Sequence, residues 1–240
     1  MRYRALATDY DGTIAHDGRV DAATLAALRR ARAADRVLIL VTGRELGDLL
    51  ATFPDIDIFD CVVAENGALL YDPPSGERRS LGPQPPAALL DLLTDKGVPI
   101  SVGHSIVATV EPHEHAVLAA IRDLGLEWHV IFNKGAVMAL PADVTKATGL
   151  VPAADALGVS LEETIGVGDA ENDQAFLRTC GLAVAVQNAL PAVKAVADLV
   201  TAGSRGAGVA ELIDLWLNGG LDATVPSPEN HSSAVGTRSG

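Results

Sequence analysis

Tyr3-Arg4-Ala5-Leu6-Ala7-Thr8-Asp9-Tyr10-Asp11-Gly12-Thr13 is an apolar run that ends in two acids and a glycine. Tyr3 to Ala7 reads as a buried strand. Side chains alternate along a strand, so Asp9 and Asp11 point to the same side, and Gly12 lets the chain turn sharply after them. Like charges this close repel unless something positive sits between them. A divalent metal is the simplest such group, and chemistry on an anion such as a phosphate is the simplest use for it.

Outward from this stretch, short β-rich runs alternate with helical patterns. Ala22–Ala34 has helical spacing, with Leu25, Leu28 and Ala31 on one stripe. Val37–Val41 is pure Val, Leu and Ile, which implies a strand buried on both faces. Arg44–Thr52 reads as a helix stopped near Pro54, Cys61–Ala64 as another buried strand, and Asn66 to Leu81 as a hairpin turning at Pro73-Pro74-Ser75-Gly76. Pro83-Gln84-Pro85-Pro86 marks a boundary. Beyond it come a helix over Ala87–Lys96, a strand-like run over Ile100–Val110, a helix over His113–Leu124, and a strand pair, Trp128–Phe132 and Ala136–Leu140, turning near Lys134-Gly135. After Pro141 the first rhythm returns: helices at Lys146–Leu157, Glu171–Thr179, Leu190–Ala197 and Val209–Leu217 separate strands at Thr164–Val167, Ala183–Val186 and Leu199–Thr201. Such alternation predicts a parallel sheet wrapped by helices. Residues 219–240 are Gly, Ser, Pro and polar residues without period, which predicts a disordered tail.

The 240 residues are 48% hydrophobic, enough for a substantial core, and aromatics are only 4%, so Ala, Val and Leu must fill it, as suits close helix–sheet packing. A formal net charge of −13 argues against a nucleic-acid partner. The one basic stretch, Arg29, Arg30, Arg32 and Arg36, falls on an amphipathic helix as a solvated face. Cys61 and Cys180 read as buried free thiols. No run is long and apolar enough to span a bilayer and no signal-peptide pattern is visible, so no membrane is expected and the cytoplasm is the default.

Four features fall at the carboxyl ends of predicted parallel strands, where ligand sites of open α/β sheets lie. Besides Asp9-Tyr10-Asp11-Gly12-Thr13 there is Thr42-Gly43-Arg44, where a hydroxyl and a glycine amide before a helix suit phosphate oxygens, although a plain N-cap threonine accounts for it equally. Lys146 enters a helix just after the inserted segment. Gly168-Asp169-Ala170-Glu171-Asn172-Asp173 offers several hard oxygens at one strand end, as Mg²⁺ prefers.

This ordered set of motifs resembles that of the haloacid dehalogenase-like hydrolase superfamily. Within it the chain is similar to the Cof-type phosphatases, whose cap is inserted between the second and third motifs; Glu65-Asn66-Gly67-Ala68 and the following hairpin fit that group. The short insert is similar to the small caps of archaeal phosphoglycolate phosphatases and sucrose-phosphate phosphatases. The resemblance implies an α/β fold: a Rossmann-like parallel sheet core with helices on both faces, formed by residues 1–81 and 144–218, plus a small α+β cap domain over 82–143. It also implies roles. Asp9 would be the nucleophile and Asp11 the acid and base. Thr42 and Gly43 would hold phosphoryl oxygens, and Lys146 would neutralise charge. Mg²⁺ would be held by Asp9, the Asp11 carbonyl and Asp169. Asn172, counted among the phosphate-binding residues, and Asp173 would complete the site through water or by orienting Lys146. Asn66, with Glu65, either approaches the substrate or forms a structural turn, and Arg44 is expected to pair or pack near the helix start.

The implied activity is Mg²⁺-dependent hydrolysis of a small phosphorylated metabolite, a sugar phosphate or phosphoglycolate-like ester, through an aspartyl-phosphate. A phosphomutase shares the nucleophile, and a phosphometabolite-binding module shares the cradle. Asp11 argues for phosphoryl chemistry, since a halide leaving group needs no proton and a binder needs no such acid. His104, His113 and His115 read as exposed loop residues. Neither the substrate nor an oligomeric state is written in any motif.

Overall fold

Ala5–Thr8 (β1) has every side chain buried, as a strand between two neighbours in a covered sheet requires. In the computed structural model, which describes residues 2–133 and 135–221, β1 lies at the centre of an eight-stranded sheet. The short hairpin Ala15–His16 (β2) and Arg19–Val20 (β3) follows it at once, and was not legible in the sequence. Then come helix Ala22–Ala33 (α1), strand Val37–Val41 (β4), helix Leu46–Thr52 (α2), strand Cys61–Ala64 (β5), and the hairpin strands Leu69–Tyr71 (β6) and Arg78–Ser80 (β7). The sheet resumes after the insert with helix Lys146–Ala156 (α5), strand Thr164–Gly168 (β12), helix Gln174–Leu177 (α6), strand Leu182–Ala185 (β13), helix Pro191–Lys194 (α7), strand Leu199–Val200 (β14) and helix Gly206–Leu217 (α8). The expected helix from Glu171 is correct in place but begins as a 3₁₀ turn over Glu171–Asp173.

The strand order is β14-β13-β12-β1-β4-β5-β6-β7. Pairing is parallel from β14 to β5, and β6 and β7 add an antiparallel edge. The chain therefore builds one way from β1 through β4 and β5, then returns to build the other way from β12. This is the doubly wound order, whose switch point, a crevice between the carboxyl ends of β1 and β12, receives ligands. Helix α1 packs with α8, and α5 with α6, so both faces are covered. Leu221 is buried in the same core, so the ordered chain outlasts the expected start of the tail at residue 219. From residue 222 on, that expectation concerns residues outside those described.

Between β7 and α5 stands a separate four-stranded antiparallel sheet, ordered β10-β11-β9-β8. Its strands are Ser101–Val102 (β8), Val107–Val110 (β9), Trp128–Asn133 (β10) and Ala136–Pro141 (β11), with helices Ala87–Asp95 (α3) and Glu114–Asp123 (α4). Leu89, Leu93, Val117 and Ile121 of the helices pack on Val107, Val137 and Ala139. Ile106, Met138 and Leu140 lie in a second cluster with Ala68 and Val144. The expected single run Ile100–Val110 is two strands. Gly103 and its neighbours turn because the Glu65 carboxylate accepts the His104 and Ser105 amides at 2.7 and 3.1 Å. Two backbone donors held by one buried carboxylate outweigh continuation of the strand.

Candidate active site

Asp9, Thr42 and Asp169 each stand one residue past the end of β1, β4 and β12, and these three strands are neighbours. The Asp9 amide donates to the Val167 carbonyl at 3.0 Å, which carries the β1–β12 ladder to the motif itself. Lys146 reaches the same point from the other side. It is the first residue of α5, whose N-cap Thr145 accepts the Thr148 amide in a reciprocal capping box. The helix rests on backbone: a Cβ on Gly149 would lie 2.5 Å from the Gly67 Cα, and one on Gly67 2.0 Å from the Thr145 carbonyl. Only glycines permit this approach, and Gly67 also has φ +110°.

Lys146 is buried, and its ammonium donates to Asp9 Oδ1 and Asp173 Oδ1, each at 2.6 Å. Asp173 is fully buried, and its other oxygen accepts the Asp169 and Ala170 amides at 2.9 and 2.8 Å. It thus fixes both the lysine and the loop that carries Asp169. Thr13, to which the sequence reading gave no role, donates its hydroxyl to Asp169 Oδ1 at 3.1 Å. Burial, with the charges of Asp173 and Asp169, pushes Asp9 up to about 7 against the pull of Lys146. Burial opposes the charge on Lys146, but Asp173 and Asp9 outweigh it and hold the ammonium above its ordinary range. The cluster is therefore short of positive charge: three acids face one lysine.

The other predicted residues fall around this centre. Asp11 turns its carboxylate to the Arg44 guanidinium at 2.6 Å. The Thr42 hydroxyl accepts the Arg44 amide at 3.1 Å and so braces the turn, but the N-cap of α2 is Glu45, so Thr42 is not the helix N-cap of its plainer reading. A Cβ on Gly43 would sit tightly, 3.1 Å from the Asn66 side-chain amide. Asn66 is buried, accepts from Asn172 at 2.9 Å and approaches the Met138 sulfur at 3.6 Å. It serves as a turn that touches the insert, with Glu65 beside it holding the β8–β9 turn. The structure thus gathers Asp9, Lys146, Asp169 and Asp173 into one cluster, and pairs Asn66 with Asn172 beside it. Asn188, just after β13, was missed; its side chain donates to the Gly12 carbonyl at 2.9 Å and supports the motif turn. Its polar position after a parallel strand was the available signal.

A cavity of about 500 Å³ opens over Asp9. Asp11, Gly43, Arg44, Glu45 and Asp48 line it from the core side, and Ser101, Ile106, Ala108, Ala136 and Met138 from the insert. The model of the family described as haloacid dehalogenase-like hydrolase matches residues 6–113 and 115–213. The chain belongs to that family. This haloacid dehalogenase-like hydrolase is 33% identical over 219 residues to a phosphoglycolate phosphatase of Methanothermobacter thermautotrophicus, covering 88% of this chain and 97% of the relative. It is 32% identical over 221 residues to a phosphoglycolate phosphatase of Natronomonas pharaonis, with coverage of 87% and 96%. A solved subclass IIB sugar phosphatase shares its fold with a TM-score of 0.73 at 23% identity, over 89% of this chain and 98% of that one. The resemblance read from the motifs is therefore correct, as are the α/β class and the phosphatase class. Among the described residues no helix is long and apolar enough to cross a membrane.

Members of the family use a metal ion, and the residues present fit one. Asp9, Asp169 and Asp173 each offer a carboxylate oxygen, all within 4.8 Å of one another. Hard oxygens in excess of local positive charge suit a hard divalent cation. Two of these acids have distinct surroundings: Asp173 is engaged by Lys146 and two amides, whereas Asp169 accepts the Thr13 hydroxyl beside Asp9.

Proposed function

We propose that the chain is a Mg²⁺-dependent phosphomonoesterase acting on a small phosphorylated metabolite. The observation that carries this reading is the buried Lys146, bridging Asp9 and Asp173 at 2.6 Å beneath a cavity that Asp11 and Gly43 also line.

Asp9 attacks phosphorus through a carboxylate oxygen as the ester P–O bond breaks, leaving an aspartyl-phosphate. Asp11 gives its proton to the departing oxygen, then takes one from the water that attacks phosphorus and restores Asp9. Lys146 balances charge between nucleophile and phosphoryl group, while the Thr42 hydroxyl and Gly43 amide meet phosphoryl oxygens. Asp9, the Asp11 carbonyl and Asp169 would hold Mg²⁺, which would supply positive charge between the phosphoryl group and the carboxylates. Asp173 holds Lys146 in place, and Asn172 positions Asn66 behind the cradle.

Residues 82–143 act as a cap domain on the core of residues 1–81 and 144–218. The cap sets the leaving-group side of the cavity with Ile106, Ala108, Ala136 and Met138, an apolar wall that bounds the room for the ester. The phosphoglycolate named for the relatives, and sugar phosphates, are the first esters to try.

The test is release of inorganic phosphate from a panel of phosphate esters with Mg²⁺. Activity should vanish in EDTA and in Asp9→Asn, which keeps the shape of the side chain but is a poor nucleophile. Full activity in chelator, or Asp9→Asn turnover within tenfold of wild type, refutes the mechanism.

A further inference from the structure

Every nitrogen of the Arg44 guanidinium is used inside the protein. Nε donates to Asp11 Oδ2 at 2.6 Å and Nη2 to Asp11 Oδ1 at 2.9 Å, a two-bond fork. Nη1 donates to Asp48 at 2.6 Å and to Thr52 at 3.4 Å, both on α2. The guanidinium lies 5.2 Å above the Tyr10 ring, whose hydroxyl is tied to the Gly18 carbonyl at 3.0 Å. A side chain at Gly18 would crowd Nη2 at 3.2 Å. The cradle therefore has walls from the loop after β1, from the β2–β3 turn and from α2.

Such a guanidinium is not free to take a substrate, although it borders the cavity. What it does is hold a planar carboxylate by both oxygens, which sets the rotation as well as the position of that group. The backbone of Arg44 is fixed too, its amide bonded to the Thr42 hydroxyl. One residue thus links the loop assigned to phosphoryl oxygens with the acid assigned to the leaving oxygen.

We propose that Arg44 is the positioning residue for Asp11, aiming the proton at the leaving oxygen while the Thr42-Gly43 loop holds the phosphoryl group. The inference rests on the acid–base role given to Asp11 above. A two-bond fork leaves the Asp11 carboxyl no freedom to rotate, so Arg44 fixes the direction in which that group faces the cavity. In the step concerned, the Asp11 proton moves to the ester oxygen as the P–O bond breaks and its electron pair goes to the same oxygen; Arg44 gains and loses nothing. A lysine cannot replace it, because an ammonium lacks the planar fork.

The experiment compares kcat/KM for an alkyl phosphate, glycerol 2-phosphate, with that for 4-nitrophenyl phosphate, in wild type and variants with Mg²⁺. This parameter covers the steps through departure of the leaving group, and nitrophenolate departs without a proton. Asp11→Asn should lose at least about 100-fold on the alkyl ester and less than tenfold on the aryl ester, the span of a positioned acid. Arg44→Gln and Arg44→Lys should lose about tenfold or more on the alkyl ester and stay within about threefold on the aryl ester. Should Arg44→Gln not fold, Asp48→Asn reads the same ratio, because Asp48, 58% exposed at the cavity rim, holds the Arg44 guanidinium by an ion pair. Equal losses on both esters in the Arg44 variants, or an unchanged ratio in Asp48→Asn, overturn the proposal. Equal losses in Asp11→Asn instead overturn the acid role of Asp11 itself.

Discussion

Lys146→Met isolates the charge at the centre of the site. Methionine keeps an unbranched apolar stem beside the Phe176 ring, which lies 5.9 Å from the ammonium, so the change removes little besides the cation. The lysine side chain is 2% exposed, and its partners Asp9 and Asp173 are 6% and 0% exposed. Breaking a buried pair from one side leaves an uncompensated charge and costs about 3–5 kcal/mol. In a chain of this size each kcal/mol moves the melting temperature by roughly 2–4 °C, so the metal-free variant should melt roughly 6–20 °C below wild type at pH 8.

The deficit should depend on pH, with a definite sign. The folded pKa of Asp9 lies above its ordinary value of 3.8, at about 7 in the wild type. A carboxyl raised on folding adds stability below its ordinary pKa and loses it as pH rises through the folded one. The wild type therefore gives up that contribution between about pH 4 and pH 7. With the lysine gone the remaining acids hold a proton more tightly still, so the gap to wild type should narrow at pH 5 and widen at pH 8. Calorimetry in EDTA across this range measures it. A variant that melts within 2 °C of wild type at both ends would refute the view that Lys146 neutralises buried carboxylates.

Gly149→Ala tests the seat of α5. Helix propensity favours alanine by about 1 kcal/mol, but the new methyl meets the Gly67 Cα at 2.5 Å and the Val63 side chain at 2.6 Å, and overpacking costs about 1–3 kcal/mol. Clash should win: thermal melts should show lower stability, and turnover should fall because Lys146 sits on the displaced turn, whereas a more stable and fully active variant would remove this account. Burial pushes the Cys61 thiol up to about 11 and the Cys180 thiol up to about 12. Native protein at pH 8 should barely react with a disulfide reagent and should react fully once denatured; rapid stoichiometric labelling of the native form would contradict the burial.

The central strands were legible because they bury both faces. Val37–Val41 and Cys61–Ala64 have the predicted bounds, since short apolar, mostly Val-rich runs between turn signals are too short for a helix and fit a buried strand. Asp9, Asp169 and Lys146 were legible because acids at strand ends and a lysine at a helix start keep their order through folding. The rest depends on contacts that no local pattern encodes. The break between β8 and β9 is imposed by Glu65, distant in sequence. The grip of Arg44 on Asp11 and that of Thr13 on Asp169 each join loops that follow different strands. The β2–β3 hairpin is only two residues on each side, too short for a period to register.

The position of β1 has a consequence for how the protein is made. Its partners are β4, completed at residue 41, and β12, completed at residue 168. During synthesis the first half of the sheet can assemble early, but one edge of its central strand stays bare until more than a hundred further residues have emerged. An unpaired apolar edge invites pairing with other chains, and joining ends so far apart is slow. The insert folds on local antiparallel pairings and emerges within that interval. The order of synthesis therefore leaves the open side of β1 to be closed last, by β12.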